Sequence, residues 1–394
     1  EQVEYLRVIP AYPVRGYRLH FPSGTGRVRF VLSTVDAASC VSCYHESVEG
    51  KSFGDIREEC REAWNRLLGK IRLKGGTEDQ KTVFYTGVYR AANRMHNYSV
   101  NGCYRGMDGE VHADEGSAYY CDDGIWDTYR GMHPLQLILE PEVHRDVLSS
   151  YLRMYRQSGW LPRFPRLSGN FPCMIGHHTI SLYAGALAKG VPFDLPLAYE
   201  AGYKNATRRT MCPFRDGEAN ELTACYYEKG FFPALEEDEP ETDPQVHPFE
   251  NRQSVSVTLE HSYDDWCMAQ LAKALGKEED AALFEKRSQN YRNLYDPQIG
   301  FFRPRKQDGS FTDPFDPKWC GGQGGRKYFT ENNAYIYNFA IQQDIPGMVE
   351  LHGGTEAFAA KLDRLFIEQY DGQLKSRFLG QYPDATGLMG QFCM

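Results

Sequence analysis

Apolar positions recur at helical spacing through most of this chain, and only its first fifty residues depart from that pattern. Ile56, Cys60, Ala63, Trp64, Leu67, Leu68 and Ile71 fall on one face of a helix. Lys74-Gly75-Gly76 breaks the run, and Thr77-Glu78-Asp79-Gln80 then has the form of a capping box ahead of a helix carrying Val83, Phe84, Val88, Tyr89 and Ala91. Amphipathic spacing predicts further helices over 141–158, 178–189, 195–208, 262–275, 278–294, 332–340 and 355–370. The joining segments, such as 209–253 and 296–330, are long and rich in Gly, Pro, Asp and aromatics. Residues 1–50 read instead as β structure. Apolar and charged residues partly alternate over Arg27-Val28-Arg29-Phe30-Val31-Leu32, as in a half-buried strand, and Pro22 to Gly26 supply turn chemistry. Fifty residues are too few for a whole sandwich, so they are expected to be the tail of a β domain. Many antiparallel helices with elaborate loops at one end suggest an α/α toroid with its site on loops and helix ends.

Composition narrows the partners. The chain has 394 residues, 41% hydrophobic and 25% charged, with a net charge of −9 and no Lys/Arg block. That argues against nucleic acid and against anionic membrane surfaces as partners. There is no apolar run of transmembrane length and no leader-like basic and apolar start. The chain does not begin with Met, so it is expected to be a piece of a longer protein, and its compartment stays open. Eleven cysteines without regular spacing read as reduced thiols rather than a disulfide framework. Cys40-Val-Ser-Cys43 lacks the second pair a zinc site would want.

Three segments carry candidate chemistry. Asp122-Asp123-Gly124-Ile125-Trp126-Asp127 sets carboxylates beside an indole directly before an apolar helical segment, and Arg130 follows. A second aromatic turn is Gly159-Trp160-Leu161-Pro162-Arg163. Sugar hydroxyls want charged acceptors and sugar C–H faces want a flat apolar platform. Trp126, Asp127, Arg130, Trp160 and Arg163 are therefore candidate substrate-binding residues, although Asp127 or Thr128 would equally serve as a helix cap. The second segment, Ser254 to Trp266, crowds Glu260, Asp264, Asp265 and an indole around the start of the helix expected from 262. Asp264 and Asp265 suit the N-terminal end of that helix dipole, which leaves Glu260 as the better functional candidate. In the third, Glu331 lies alone among aromatics and amides in Tyr328-Phe329-Thr330-Glu331-Asn332-Asn333-Ala334-Tyr335. An apolar setting keeps a carboxyl protonated, the state an acid catalyst needs; a first-turn helix Glu would look the same. His177-His178 are adjacent and offer no i+4 partner for a metal. There is no phosphate loop and no Gly-x-Ser-x-Gly elbow. Gly321 to Gly325 reads as a flexible loop.

Taken in order, KGGTEDQKTVFYTGVYR (74–90), DGIWDTYRGMHPLQLILEPE (123–142), GWLPRFP (159–165), MIGHHT (174–179), KGVPFD (189–194), VSVTLEHSYDDWCMAQLAKALGK (255–277), RSQNYRNLYDPQIGFFRPR (287–305), YFTENNAYIYNF (328–339) and GQF (390–392) resemble glycoside hydrolase family 92, the calcium-dependent exo-acting α-mannosidases. The resemblance covers about residues 55–394. It implies an N-terminal β-sandwich, of which 1–50 would be the end, a helical linker over 51–76, and an (α/α)6 catalytic toroid over 77–394 that is incomplete at its C-terminus. It implies hydrolysis of a terminal α-mannoside with inversion, on a mannose-containing oligosaccharide or glycoprotein glycan and with α-1,2 linkage expected. The family acid, the Glu of a Tyr-x-Glu-Gly-Asn-like motif, maps onto Glu331, with Asn332 where Gly is usual. Trp126 and Asp127 would line the mannose subsite. Glu260, Asp264 and Asp265 match motif positions without an assigned role. At His177 the family has Asp, so no ligand role carries over. The family's Ca2+ ligands and general base sit in Asn-Glu-Pro-Ser and Gly-Asn-Asp-Asp-like motifs, and the chain stops at Met394 before both. The chain by itself is therefore expected to be inactive. Two other readings stay open: another inverting (α/α)6 glycosidase, and a mannose-binding relative without catalysis.

Overall fold

The computed structural model describes residues 2–9, 12–20, 28–318 and 327–367. The chain divides into two units, 1–63 and 64–394. The first holds an antiparallel hairpin of β1 (Gln2–Ile9) and β2 (Tyr12–His20), in register from Gln2 opposite His20 to Arg7 opposite Arg15, with a shift before Ile9 opposite Tyr12. The strand expected over 27–32 is not found in its described part: residues 28–33 have no ladder partner, and Phe30 and Leu32 are 75% and 83% exposed. Alternation marks a strand only where another strand supplies its hydrogen bonds. Helix α1 (Ala37–Ser47) occupies a stretch expected to be β. Its sequence signal is the cap, in which Asp36 accepts from the Ser39 N–H at 2.7 Å, and not an apolar stripe. Helix α2 (Phe53–Leu68) follows.

The second unit is mainly helical. Helix α3 (Glu78–Ala91) starts at the expected capping box: the Thr77 side chain accepts from Gln80 N–H and the Gln80 side chain from Thr77 N–H. After the short α4 (Ile125–Thr128) and the apolar α5 (Met132–Leu139) come α6 (Pro141–Ser158), α7 (Thr179–Lys189) and α8 (Leu195–Arg208). Pro in the first turn of α6 and α8 fixes their starts, where its missing N–H costs nothing. Helix α9 (Glu221–Lys229) lies inside the segment read as a loop and is announced only by its cap, Asn220 accepting from Thr223 N–H at 3.1 Å. The predicted helix 278–294 breaks into α11 (Glu278–Ser288) and a 3-10 turn, Asn290–Leu294. The one predicted over 332–340 is the single turn α12 (Ala334–Tyr337), and α13 (Ile345–Leu351) and α14 (Thr355–Ile367) close the described chain. The glycine-rich 321–325 and the terminal GQF lie outside the described residues. Among the described residues no helix is long and apolar enough to cross a membrane.

Helix α10 (Ser254–Ala274) is eight residues longer at its start than the pattern suggests, and it is the axis of the unit. Its Met268 and Leu271 join the core formed with α6, α7, α8 and α11; Val255 and Leu259 join a second core with Phe302, Phe329 and Tyr337; Val257 joins a third with Trp126 and Tyr226. A helix buried on every side shows no amphipathic stripe, which is why its first eight residues escape a periodicity reading. Gly202 of α8 permits the close approach to α10, since a Cβ there would lie 2.7 Å from Met268 Sδ. Met268 is fully buried, so a shift of its thioether must be absorbed by the surrounding core. Gly202→Ala is expected to destabilise the unit by about 1–3 kcal/mol through overpacking, read as a lowered thermal midpoint; an unchanged midpoint would show that the contact can relax.

Candidate active site

Placing α10 in the interior takes its carboxylates inside. Glu260, Asp264 and Asp265 stand in the middle of the helix, all but fully buried, so the helix-dipole account of the aspartates does not hold: the positive end of the helix is two to three turns away. Each must find compensation in contact with it.

Glu260 is a hub. One oxygen, Oε2, accepts from the indole N–H of Trp126 and from His178 Nε2, both at 2.9 Å. The other, Oε1, accepts from the Tyr337 hydroxyl at 3.1 Å and lies 3.4 Å from the Arg130 guanidinium. Burial alone would raise its pKa, but His178, then Arg130 and Trp126, hold it below the usual carboxylate value. His178 Nδ1 in turn meets Asp264 Oδ1 at 2.8 Å, and Asp264 Oδ2 accepts from the His177 backbone N–H at 2.6 Å. Both ring nitrogens of His178 thus face carboxylates, which only accept, so the ring carries both protons. Burial disfavours that imidazolium; Asp264 and then Glu260 outweigh it and lift its pKa to about 9. The Tyr129 ring stacks on it with centroids 4.1 Å apart. Gly176, at φ +77°, leaves room for the imidazole, which a Cβ there would strike. Sequence reasoning set His178 aside because no histidine stands at i+4; its partners come from another helix, 82 and 86 residues away. Asp265 pairs with Arg287 at 2.9 Å and accepts from Tyr226 at 2.8 Å, and burial, partly offset by Arg287, raises its pKa to about 6.

The single turn α4 separates two roles. Trp126 points inward, 2% exposed with its N–H committed to Glu260, so it offers no open face for a sugar. Asp127 opens to solvent. Crowding by protein on its other sides raises its pKa, opposed by Arg130. Arg130 is partly open as well, its guanidinium 4.7 Å from the Tyr129 ring centroid. Beneath the turn, buried Asp123 binds His133 Nε2 at 2.8 Å, the Tyr151 hydroxyl and Thr128 Oγ1, and His133 Nδ1 lies 3.0 Å from His144 Nε2. Burial pushes His144 down to about 3, so that ring is neutral.

Two residues of the expected binding set stand elsewhere. Arg163 is 3% exposed and turns inward, donating to the carbonyls of Arg215 and Thr210 and meeting His177 Nε2 at 3.3 Å. Trp160 is half-buried with Lys204 Nζ 4.5 Å from its ring centroid. Neither touches the Glu260 hub among the described contacts. Glu331 is half-buried with φ 54°. The carbonyl of its neighbour Thr330 lies 3.4 Å from the Tyr337 hydroxyl, and that hydroxyl and the Trp126 indole both donate to Glu260, so the Glu331 segment and the Trp126 turn share the same hub. Asp122, Met174 and Gln253 are also left-handed, and strain of this kind persists only where surroundings over-determine it. Among the described residues no group of three or more His, Cys, Asp or Glu is placed to hold a metal ion.

A model of the glycosyl hydrolase family 92 catalytic domain matches residues 40–394. An uncharacterized secreted glycosidase of Arthroderma benhamiae is 26% identical over 337 residues, which make up 79% of this chain and 38% of that protein. Among solved structures, an inverting mannosidase of the same family from Bacteroides thetaiotaomicron aligns with a TM-score of 0.73 at 30% identity, covering 86% of this chain and 44% of that one. An α-mannosidase from the same organism, in complex with mannoimidazole, aligns at 0.72 with 32% identity, over 86% of this chain and 42% of that one. The chain thus spans about two fifths of the length of these relatives. Its mainly helical body is similar to theirs, which fits an α/α toroid.

The His178 imidazolium makes stability depend on pH. Its folded pKa of about 9 lies above an unfolded value near 6.5. Its contribution is therefore complete below about pH 6.5 and lost as pH rises through about 9. His178→Asn should cost about 3–5 kcal/mol at neutral pH by leaving buried carboxylates uncompensated. Denaturant unfolding at pH 7 and pH 10 should show the wild type losing more stability than the variant over that interval; equal losses would mean His178 is neutral in the folded protein.

Proposed function

The chain belongs to glycosyl hydrolase family 92, and on that footing we propose that the protein carrying it removes terminal α-linked mannose from mannose-containing glycans with inversion, α-1,2 linkages foremost. In this reading the helical body from about residue 77 is an (α/α)6 catalytic toroid, preceded by the end of a β-sandwich and a linker. The carrying observation is a solvent-facing carboxylate and guanidinium, Asp127 and Arg130, on a turn locked to Glu260, with the Glu331 segment tied to that same carboxylate through Tyr337. The solved mannosidases of the family, one with mannoimidazole bound, point the same way.

Asp127 accepts from mannose hydroxyls and Arg130 donates to them. Trp126 and Glu260 do not touch the sugar; they hold the turn that does. Glu331 gives its proton to the glycosidic oxygen as the bond to the leaving group breaks. Inversion requires a second carboxylate to deprotonate a water on the opposite face of the ring, and that base lies outside the described residues. Calcium, implied by the family likeness, finds no ligand set among the described residues.

Two measurements test this reading. Glu331→Gln should lower turnover of an oligomannoside by about 100-fold or more while leaving mannose binding nearly unchanged; a normal rate would remove Glu331 as the acid. The raised pKa of Asp127 means that its accepting form is lost as pH falls through a value above the ordinary aspartate range. KM should therefore rise across that window in the wild type and stay flat in Asp127→Asn; parallel curves would place Asp127 outside the subsite.

A further inference from the structure

We infer that Thr330 and Gln253 form a clamp that positions Glu331, fixing where its carboxyl can deliver a proton; the inference rests on reading Glu331 as the general acid. Glu331 has φ 54°, a conformation that a residue with a side chain keeps only under constraint from its surroundings. Part of that constraint lies one residue earlier. The segment 327–330 is laid across the first turn of α10, whose N–H groups have no partner within the helix. Ser254 N–H donates to Lys327 O at 3.3 Å, and Val255 and Ser256 N–H to Tyr328 O at 3.0 and 3.3 Å. These backbone bonds dock the segment. Thr330 is then held by its N–H and its hydroxyl, with its carbonyl beside a phenol whose proton goes to Glu260. Its N–H donates to Ser256 Oγ at 2.8 Å, its hydroxyl donates to Gln253 Oε1, and its carbonyl faces the Tyr337 hydroxyl at 3.4 Å.

The orientation of the Gln253 amide follows from its partners. Its Nε2 donates to the Glu250 carbonyl at 3.0 Å and to Glu250 Oε2 at 3.2 Å. Both of those only accept, so Oε1 must be the atom that receives the Thr330 proton. Gln253 and Thr330 are fully buried, and Gln253 itself sits at φ 48°. Two residues without glycine's freedom are thus left-handed on either side of one hydroxyl–amide bond. The docking bonds account for where the segment lies; the side-chain bond adds a fixed direction for the residue that follows. An acid needs that second condition, because it must place its proton within hydrogen-bond reach of one oxygen.

The test separates aim from fold by the leaving group. In the protein that carries this chain, Thr330→Val removes the hydroxyl and keeps the shape, Gln253→Gly removes the amide and tolerates φ 48°, and Thr330→Ser restores the donor. The substrates are mannobiose, whose leaving oxygen must be protonated, and dinitrophenyl α-mannoside, whose leaving group departs as the anion. Thr330→Val and Gln253→Gly are expected to lose roughly 10- to 100-fold in kcat on mannobiose, with KM little changed, and far less on the dinitrophenyl substrate; Thr330→Ser should recover most of the loss. Equal losses on both substrates, or no loss on either, overturn the clamp. Should Thr330→Val fail to fold, Gln253→Gly decides alone. Glu331→Gln is the control. If it shows the leaving-group dependence and the clamp variants do not, only the clamp falls; if it shows none, or if the wild type turns over neither mannoside, the acid assignment falls with it.

Discussion

Three carboxylates inside a helix that is buried on all sides set the terms for this structure. Placing Glu260, Asp264 and Asp265 in the interior of the helical body would be prohibitive without ionic or hydrogen-bonding partners in direct contact. His178, Arg287, Tyr226, Trp126 and Tyr337 are those partners, and they come from the residue preceding α7 and from α11, α9, α4 and α12. Compensation therefore works as assembly: each helix that supplies a donor is fixed in rotation and height relative to α10. The groups that neutralise the interior are also those that hold the Trp126 turn and the Glu331 segment, so stability and site geometry rest on the same bonds.

The sequence could be read where one face of an element is apolar and its ends are marked. The limits of α6 and α8 come out as expected because their stripes are bounded by proline starts and polar ends. The capping box at Thr77 closes as its spacing implies. Reading fails where local pattern and tertiary setting part. The first eight residues of α10 give no signal, since burial on every side erases the stripe and β-branched Val255, Val257 and Thr258 stand in its first turns. The alternation at 28–32 promises a strand that has no ladder to join. Family likeness, rather than periodicity, brought the site into view.

Within the site, residue type was legible and direction was not. Trp126 and Asp127 are neighbours in sequence, yet one faces the core and the other solvent, a division that follows from their places on a single helical turn. Glu260 was singled out for its carboxylate, but all its accepting capacity is taken by protein donors. Arg163 was singled out as a turn residue and proves to be an interior one. His178 had no local signal at all, because what defines it is a pair of carboxylates one helix away. A candidate list from sequence thus names residue types while leaving open which groups face outward.

The chain of Glu260, His178 and Asp264 has a consequence for how this site can vary over generations. Charge balance there is shared: two anions around one cation, with the Trp126 indole and the Arg130 guanidinium as further donors. Altering any one member leaves the others uncompensated in the interior, so most single steps away from the present arrangement pass through an unstable intermediate. An apolar replacement of the whole set carries no such penalty. The three residues are therefore constrained to change together, whereas Asp127, at the solvent edge and outside that charge balance, can be exchanged alone as a lineage meets new glycans.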